Sequence, residues 1–192
     1  MSFAWMRLRT IFSSIFGIAL LVCSVTSHAQ ALPPVQTIAS LDVPRYMGTW
    51  FELAKFPNVF QRKCVGNTRA VYTLNADNTV QVFNRCRIQD GSTIEALGQA
   101  KQMGNATSPV LKVRFAPEWL GWMPLVWGDY WVIDLDDQYQ LAAVGDAKRE
   151  YLWVLSRSLK IDPTRYAALL QRLKQQGFDL DKLQVTPQDS TP

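Results

Sequence analysis

The chain predicts an all-β fold: eight antiparallel strands forming a closed barrel or a sandwich, with one C-terminal α-helix packed on its wall. Three observations carry this. Short segments of alternating or β-branched character succeed one another, polar turn clusters separate them at close spacing, and only one long stretch has helical periodicity. Composition agrees with one globular domain, since 48% of the 192 residues are hydrophobic and 19% charged.

The elements follow in order. Arg7 and Arg9 precede an apolar run over 11–22 and then small and polar residues, the pattern of a secretory signal peptide over 1–29. Cleavage is expected after Ala29, with Ala31 the second choice. A linker over 30–40 carries Pro33-Pro34. Strands are expected at 50–54, 65–74, 79–88, 93–101, 110–115, 130–135, 140–144 and 152–156, separated by turns such as Ala76-Asp77-Asn78 and Gln89-Asp90-Gly91. Such short connections favour antiparallel meanders over βαβ crossovers. Asp162 then offers an N-cap and Pro163 a first helical position. Tyr166, Leu169, Leu170 and Leu173 share one face, and Gly177 ends the run. Phe178, Leu180, Leu183 and Val185 suggest a last short strand. The domain spans 41–186, and 187–192 should be a flexible tail.

Charge and rare residues exclude several functions. Twenty basic residues against 16 acidic ones make a mixed surface, so no nucleic-acid partner is expected. The single histidine, His28, leaves with the signal peptide, which removes His-based triads and His-rich metal sites. Arg7 and Arg9 leave too, lowering the formal charge from +4 to +2. No metal and no cofactor is expected. Cys23 follows Leu20-Leu21-Val22, which opens an alternative in which Cys23 is lipidated and the product is anchored to the outer membrane instead of released into the periplasm. Export leaves Cys64 and Cys86 as a pair suited to a disulfide, with two buried free thiols as the alternative. A turn near Asp77 makes opposed residue numbers sum to about 154, whereas 64 and 86 sum to 150, so a bulge or a loop-borne Cys64 must absorb the difference.

Three ordered motifs carry a family resemblance. The segment from Arg45 through Gly48, Trp50, Glu52 and Ala54 resembles the first lipocalin signature. Gly128-Asp129-Tyr130 resembles the second, with Gly128 where the family has Thr, and Tyr151-Leu152-Trp153-Val154-Leu155-Ser156-Arg157 resembles the third, most closely as the Blc-type bacterial lipocalins have it. The resemblance implies an eight-stranded up-and-down barrel. It implies structural roles for Gly48, Trp50, Asp129, Tyr130 and Arg157, with Arg157 lying across Trp50 to close one end, and it allows a homodimer.

The same resemblance places function at the open end. An eight-stranded barrel of this kind holds one small ligand. Lining candidates are Glu52, Ala54, Tyr72, Val82, Asn84, Ile94, Ala96, Leu111, Val113, Val132 and Leu141. Phe56 and Phe60 in the first long loop, and Trp119, Trp122 and Trp127 in the loop before 130–135, are expected at the mouth, where they meet a lipid tail or a membrane surface. Arg62, Lys63 and Arg114 are candidates for an anionic head group. The implied function is binding, storage or transport of a lysophospholipid or fatty acid in the bacterial envelope, supporting membrane maintenance. Two other classes stay open: an enzyme using Glu52, Asp134 or Tyr72 on an apolar substrate, and a carrier of haem or another pigment, which would lack a His ligand. Intact mass of the exported protein tests the processing: a chain beginning at Gln30 is expected, and an acylated chain beginning at Cys23 would replace that reading.

Overall fold

The computed structural model describes residues 32–189. The signal peptide, its cleavage sites, Cys23 and His28 lie outside the described residues. Eight strands form the barrel: β1 (Gly48–Lys55), β2 (Cys64–Leu74), β3 (Val80–Ile88), β4 (Thr93–Gln102), β5 (Val110–Arg114), β6 (Gly128–Leu135), β7 (Leu141–Gly145) and β8 (Leu152–Ser156). Each pairs with the next, and β1 pairs with both β8 and β2, so the sheet closes. All the pairings are antiparallel. A two-residue strand β9 (Gln184–Val185) adds to the free edge of β1 where β1 and β2 part.

Two apolar cores share this wall. Inside the barrel, Trp50, Ala70, Tyr72, Val80, Val82, Leu111, Val132, Val144 and Leu155 pack together, with Leu41, Val43 and Tyr46 entering from below. Outside it, helix α2 (Pro163–Gln175) lays Leu169 and Leu173 against Ile133, Ala143, Leu152 and Val154. Asp162 caps α2 by accepting hydrogen bonds from the Thr164 and Arg165 amides. Arg172 of the helix grips Asp134 of the wall with two bonds of 2.6 and 2.9 Å.

A short helix α1 (Val43–Tyr46), capped by Asp42, closes the lower end. Its last turn supplies the carbonyl that accepts from Trp50 Nε1 at 2.9 Å. The Arg157 guanidinium lies 3.9 Å from the Trp50 ring centre. It also donates to the carbonyls of Thr49, Met47, Tyr46, Arg45 and Tyr139. Gly48 sits at φ +96°, and a Cβ there would meet Arg157 Nη1 at 3.2 Å. A side chain at 48 would therefore be strained and would crowd the plug.

The Cys64–Cys86 disulfide is formed, with the two Cα atoms 5.6 Å apart. Ala70 opposes Asn84, but register shifts on either side of Gly66 bring Cys64 opposite Ile88. Two bulges thus absorb half of the numbering offset, and the bridge spans the remaining diagonal.

Three expectations need correction. The described part of the linker is packed structure: Val35 is buried in the helix-side core and the Ile38 amide bonds the Val132 carbonyl. The tail is bound over 187–189, where Gln188 donates to the Glu52 and Thr68 carbonyls and Asp189 meets Asn67 and Arg87. The last strand shrinks to Gln184–Val185, because Phe178 turns into the helix-side core instead.

Replacing Arg157 with Ala removes the cation–π contact and strands up to five carbonyls. A loss of about 3 kcal/mol is expected from urea denaturation, and Lys should not restore it, since a point charge cannot reach that set of acceptors.

Candidate functional site

The barrel interior divides into a filled half and an open half. At the lower end Tyr46, Tyr72 and Tyr130 converge, with the Tyr130 hydroxyl 3.0 Å from each of the other two. With Leu41, Val80, Val82 and Leu111 around them, they leave a cavity of about 20 Å³, room for little more than one water molecule. Burial raises all three phenols: Tyr72 is pushed up to about 12, Tyr46 rises further, and Tyr130 is held well above the ordinary tyrosine value. Burial lowers the Arg157 guanidinium, and the tyrosines oppose that shift.

On the β3–β4 wall several inward positions are more exposed toward the other end, although Cys86 there is buried. On β3, Val80 and Val82 are buried while Asn84, on the same face, is half-buried. Across the ladder Ile94 opposes Cys86 and Ala96 opposes Asn84, and inward-facing Ile94 is nonetheless 38% exposed. The loops after β1, β3, β5 and β7 surround this end. The loop between β5 and β6 carries two short 3₁₀ turns, Glu118–Leu120 and Pro124–Val126. They leave Trp119 73%, Trp122 79% and Leu125 94% exposed. Val59, Phe60 and Phe115 add further exposed apolar side chains to the rim. Phe60 lies 5.9 Å from Tyr151, which stacks on Trp153 at 5.7 Å.

Several expected lining residues face inward: Tyr72, Val82, Leu111 and Val132 belong to the interior core, Val113 packs against it, and Asn84, Ile94 and Ala96 line the open half. Glu52 also points inward but is fully engaged. It accepts from Gln61 Nε2 and Thr186 Oγ1 at 2.6 Å each, and Lys55 Nζ lies 3.3 Å away.

Other placements differ. A bulge between Glu52 and Ala54 turns Ala54 outward, under the helix. Leu141 is outward too, since Ala142 and Val144 take the interior face of β7. Phe56 is buried against Phe178 in the same outer core, 6.3 Å between rings, and does not reach the mouth. Trp127 lies outside the barrel, between Lys101 Nζ at 4.3 Å and the Arg114 guanidinium at 5.1 Å. Arg114 is thereby occupied, bonding Gln99 and the Pro117 carbonyl. Asp134 is held outside by Arg172. Asp129 also lies outside, pairing with Lys112 at 2.6 Å, while Tyr130 turns in.

The interior side chains that escaped the sequence reading of the pocket include Tyr46, Val80, Ala100 and Leu155 of the lower core and Lys55, Gln61 and Trp153 above it. Trp153 lies within the third motif and on the inward phase of Leu155, so alternation could have found it, whereas Tyr46 ends α1, where a period of two does not apply. Lys55 and Gln61 follow the bulge and a loop turn, where alternation is lost.

In unfolded chain a tyrosine ionises near pH 10. Raised folded values mean that the native state keeps protons the unfolded state loses, so their contribution is intact below pH ~10 and is lost as pH rises through the folded values, about 12 for Tyr72. Tyrosinate absorbance should therefore leave these three phenols untitrated at pH ~11 until the protein unfolds, and urea midpoints should fall between pH ~10 and ~12.

Among known families, the profile described as a lipocalin-like domain matches residues 41–188. Temperature-induced lipocalin-1 of Arabidopsis thaliana is 41% identical, covering 82% of this chain and 85% of that protein. The outer membrane lipoprotein Blc of Escherichia coli is 33% identical, covering 82% and 86%. Among solved structures, insecticyanin from Manduca sexta superimposes with a TM-score of 0.63 at 18% identity, covering 83% of this chain and 87% of that one.

Proposed function

The chain belongs to the lipocalin family, whose members bind or transport small hydrophobic ligands, and from that membership we propose that it carries a single-tailed lipid, a lysophospholipid or a fatty acid, in the bacterial cell envelope. One observation carries the reading: the lower half of the barrel is filled, while the upper half is open and rimmed by Phe60, Phe115, Trp119, Trp122 and Leu125, all exposed. Apolar area of this kind is stabilised by covering it, and an alkyl chain entering the mouth does so.

The energetics suit one tail. Each buried methylene contributes ~0.8 kcal/mol, so sixteen carbons offer ~12 kcal/mol against ordering and association costs of ~4 to 15 kcal/mol. Micromolar affinity corresponds to the low end of those costs, about 4 kcal/mol. Two tails would need a wider interior than the packing of Val80, Val82, Leu111 and Val132 leaves. The disulfide supports an oxidising destination, as does the signal-like amino terminus. The name of the Escherichia coli relative, an outer membrane lipoprotein, supports anchoring through Cys23 as the alternative to free export.

Tryptophan fluorescence should respond saturably to lysophospholipid and to palmitate at micromolar concentration. Trp119→Ala and Trp122→Ala should each weaken binding by about tenfold with urea midpoints unchanged, since ~1.4 kcal/mol of tail contact is lost from exposed positions. No response to either lipid, or an unaltered affinity in both variants, would sink the proposal.

A further inference from the structure

We propose that the cleft between the end of β1, the loop that follows it and the C-terminal segment is an anion site at one side of the open end, in which Lys55 and Arg62 hold a phosphate group. The cleft has a volume of about 270 Å³, below the ~300–1,000 Å³ of drug-sized pockets and so sized for a head group. Its polar lining is Lys55, Asn58, Gln61, Arg62, Gln184 and Thr186, and no carboxylate lines it among the described residues.

Two cations there have one buried carboxylate between them. The Lys55 side chain is only 11% exposed, and its ammonium approaches Glu52 Oε1 at 3.3 Å. That carboxylate already accepts two shorter bonds, from Gln61 and Thr186 at 2.6 Å. The ion pair with Glu52 engages one side of the Lys55 ammonium, and its remaining N–H donors are left for the cleft that it lines. Arg62 stands exposed at the rim with no acidic partner among the described residues. A guanidinium offers a phosphate two parallel donors, and the ammonium a point charge opposite.

Gln61 is the partition. Its Nε2 faces Glu52, and its Oε1 accepts from Asn58 and from Trp153, which packs on the interior core. The ligand class is a phosphate monoester or diester, free or as the head group of a lipid. The lipid source rests on the carrier reading above, whereas the anion site does not.

The test uses the exported full chain. With inorganic phosphate or glycerol 3-phosphate, amide shifts over 58–65 and 184–187 should saturate at millimolar concentration. Arg62→Ala, a change at an exposed side chain, should raise Kd about tenfold without moving the melting temperature. Lys55→Met should abolish binding; if it fails to fold, Arg62→Ala decides. Shifts located elsewhere, or an Arg62→Ala affinity equal to that of the unmodified protein, would overturn the site. Neutral monoacylglycerol separates the two readings: if it quenches tryptophan but phosphate does not bind, the anion site falls and the carrier stands, and if phosphate binds but monoacylglycerol does not, the carrier falls and the anion site stands. Lysophospholipid binding tighter than monoacylglycerol only while Arg62 is present assigns the site to a head group, and equal affinities assign it to free phosphate.

Discussion

The contact between Arg157 and Trp50 is the constraint on which the rest of the barrel depends. A closed sheet needs its first and last strands to meet in one register. Here the residue just past the end of β8 reaches under the first residues of β1, stacks on Trp50 and gathers carbonyls from the turn of α1. Trp50 in turn donates to the Tyr46 carbonyl. One guanidinium therefore fixes the chain entering the barrel, the strand that opens it and the strand that closes it. Tyr46, held by that turn, then brings its hydroxyl to Tyr130 and seals the lower end.

Sealing one end determines what the other can do. Apolar mass is concentrated low in the barrel, where only about 20 Å³ is left unfilled. Higher up, β4 presents Ala96 and Gly98 on its inward face, and Phe115 takes the space over Gly98, where a Cβ would lie 2.7 Å from its ring. Small residues on that wall thus make room for Phe115, while Trp119, Trp122 and Leu125 stay exposed at the rim. Exposure of Trp119, Trp122 and Leu125 costs solubility, and a stable closed half can carry that cost.

Much of the fold was legible because period-two alternation and turn chemistry are local. The eight strands and the capped helix follow from residues a few positions apart, whereas the Cys64–Cys86 pair, 22 residues apart, follows from the count of cysteines left after export. The pocket was less legible because phase is set by bulges. Glu52 faces in and Ala54 out because Leu53 is an extra residue opposite β8, and nothing in Trp50-Phe51-Glu52-Leu53-Ala54 announces it. In β7, from Leu141 to Gly145, all five residues are buried, since the barrel covers one face and α2 the other. A strand apolar on both faces carries no phase. Trp127 is different: Gly128, Tyr130 and Val132 oppose or share the inward positions, so its outward direction was available from the alternation of β6.

Glu52 shows how a charged side chain inside a barrel can be architectural. Where β1 and β2 part, the ladder between them stops at Phe51 and Arg69, and the gap would leave backbone groups unpaired. The C-terminal segment fills it, with the Thr186 amide bonding the Leu53 carbonyl and the Pro187 carbonyl accepting from Asn67. That segment is short and has little apolar surface, so burial alone would hold it weakly. The Glu52 carboxylate supplies what burial does not, because its bond from Thr186 Oγ1 lies in a site closed to water, where a charge-assisted hydrogen bond is strong. A carboxylate in such a place needs a cation, and Lys55 on the same strand provides one. The bulge at Leu53 that takes Ala54 out of the interior is also what returns Lys55 to it, three residues after Glu52. The irregularity, the ion pair and the bound chain end are therefore one arrangement: without the bulge, Lys55 would point away from Glu52 and the gap beside β1 would lose the charge that holds its cover.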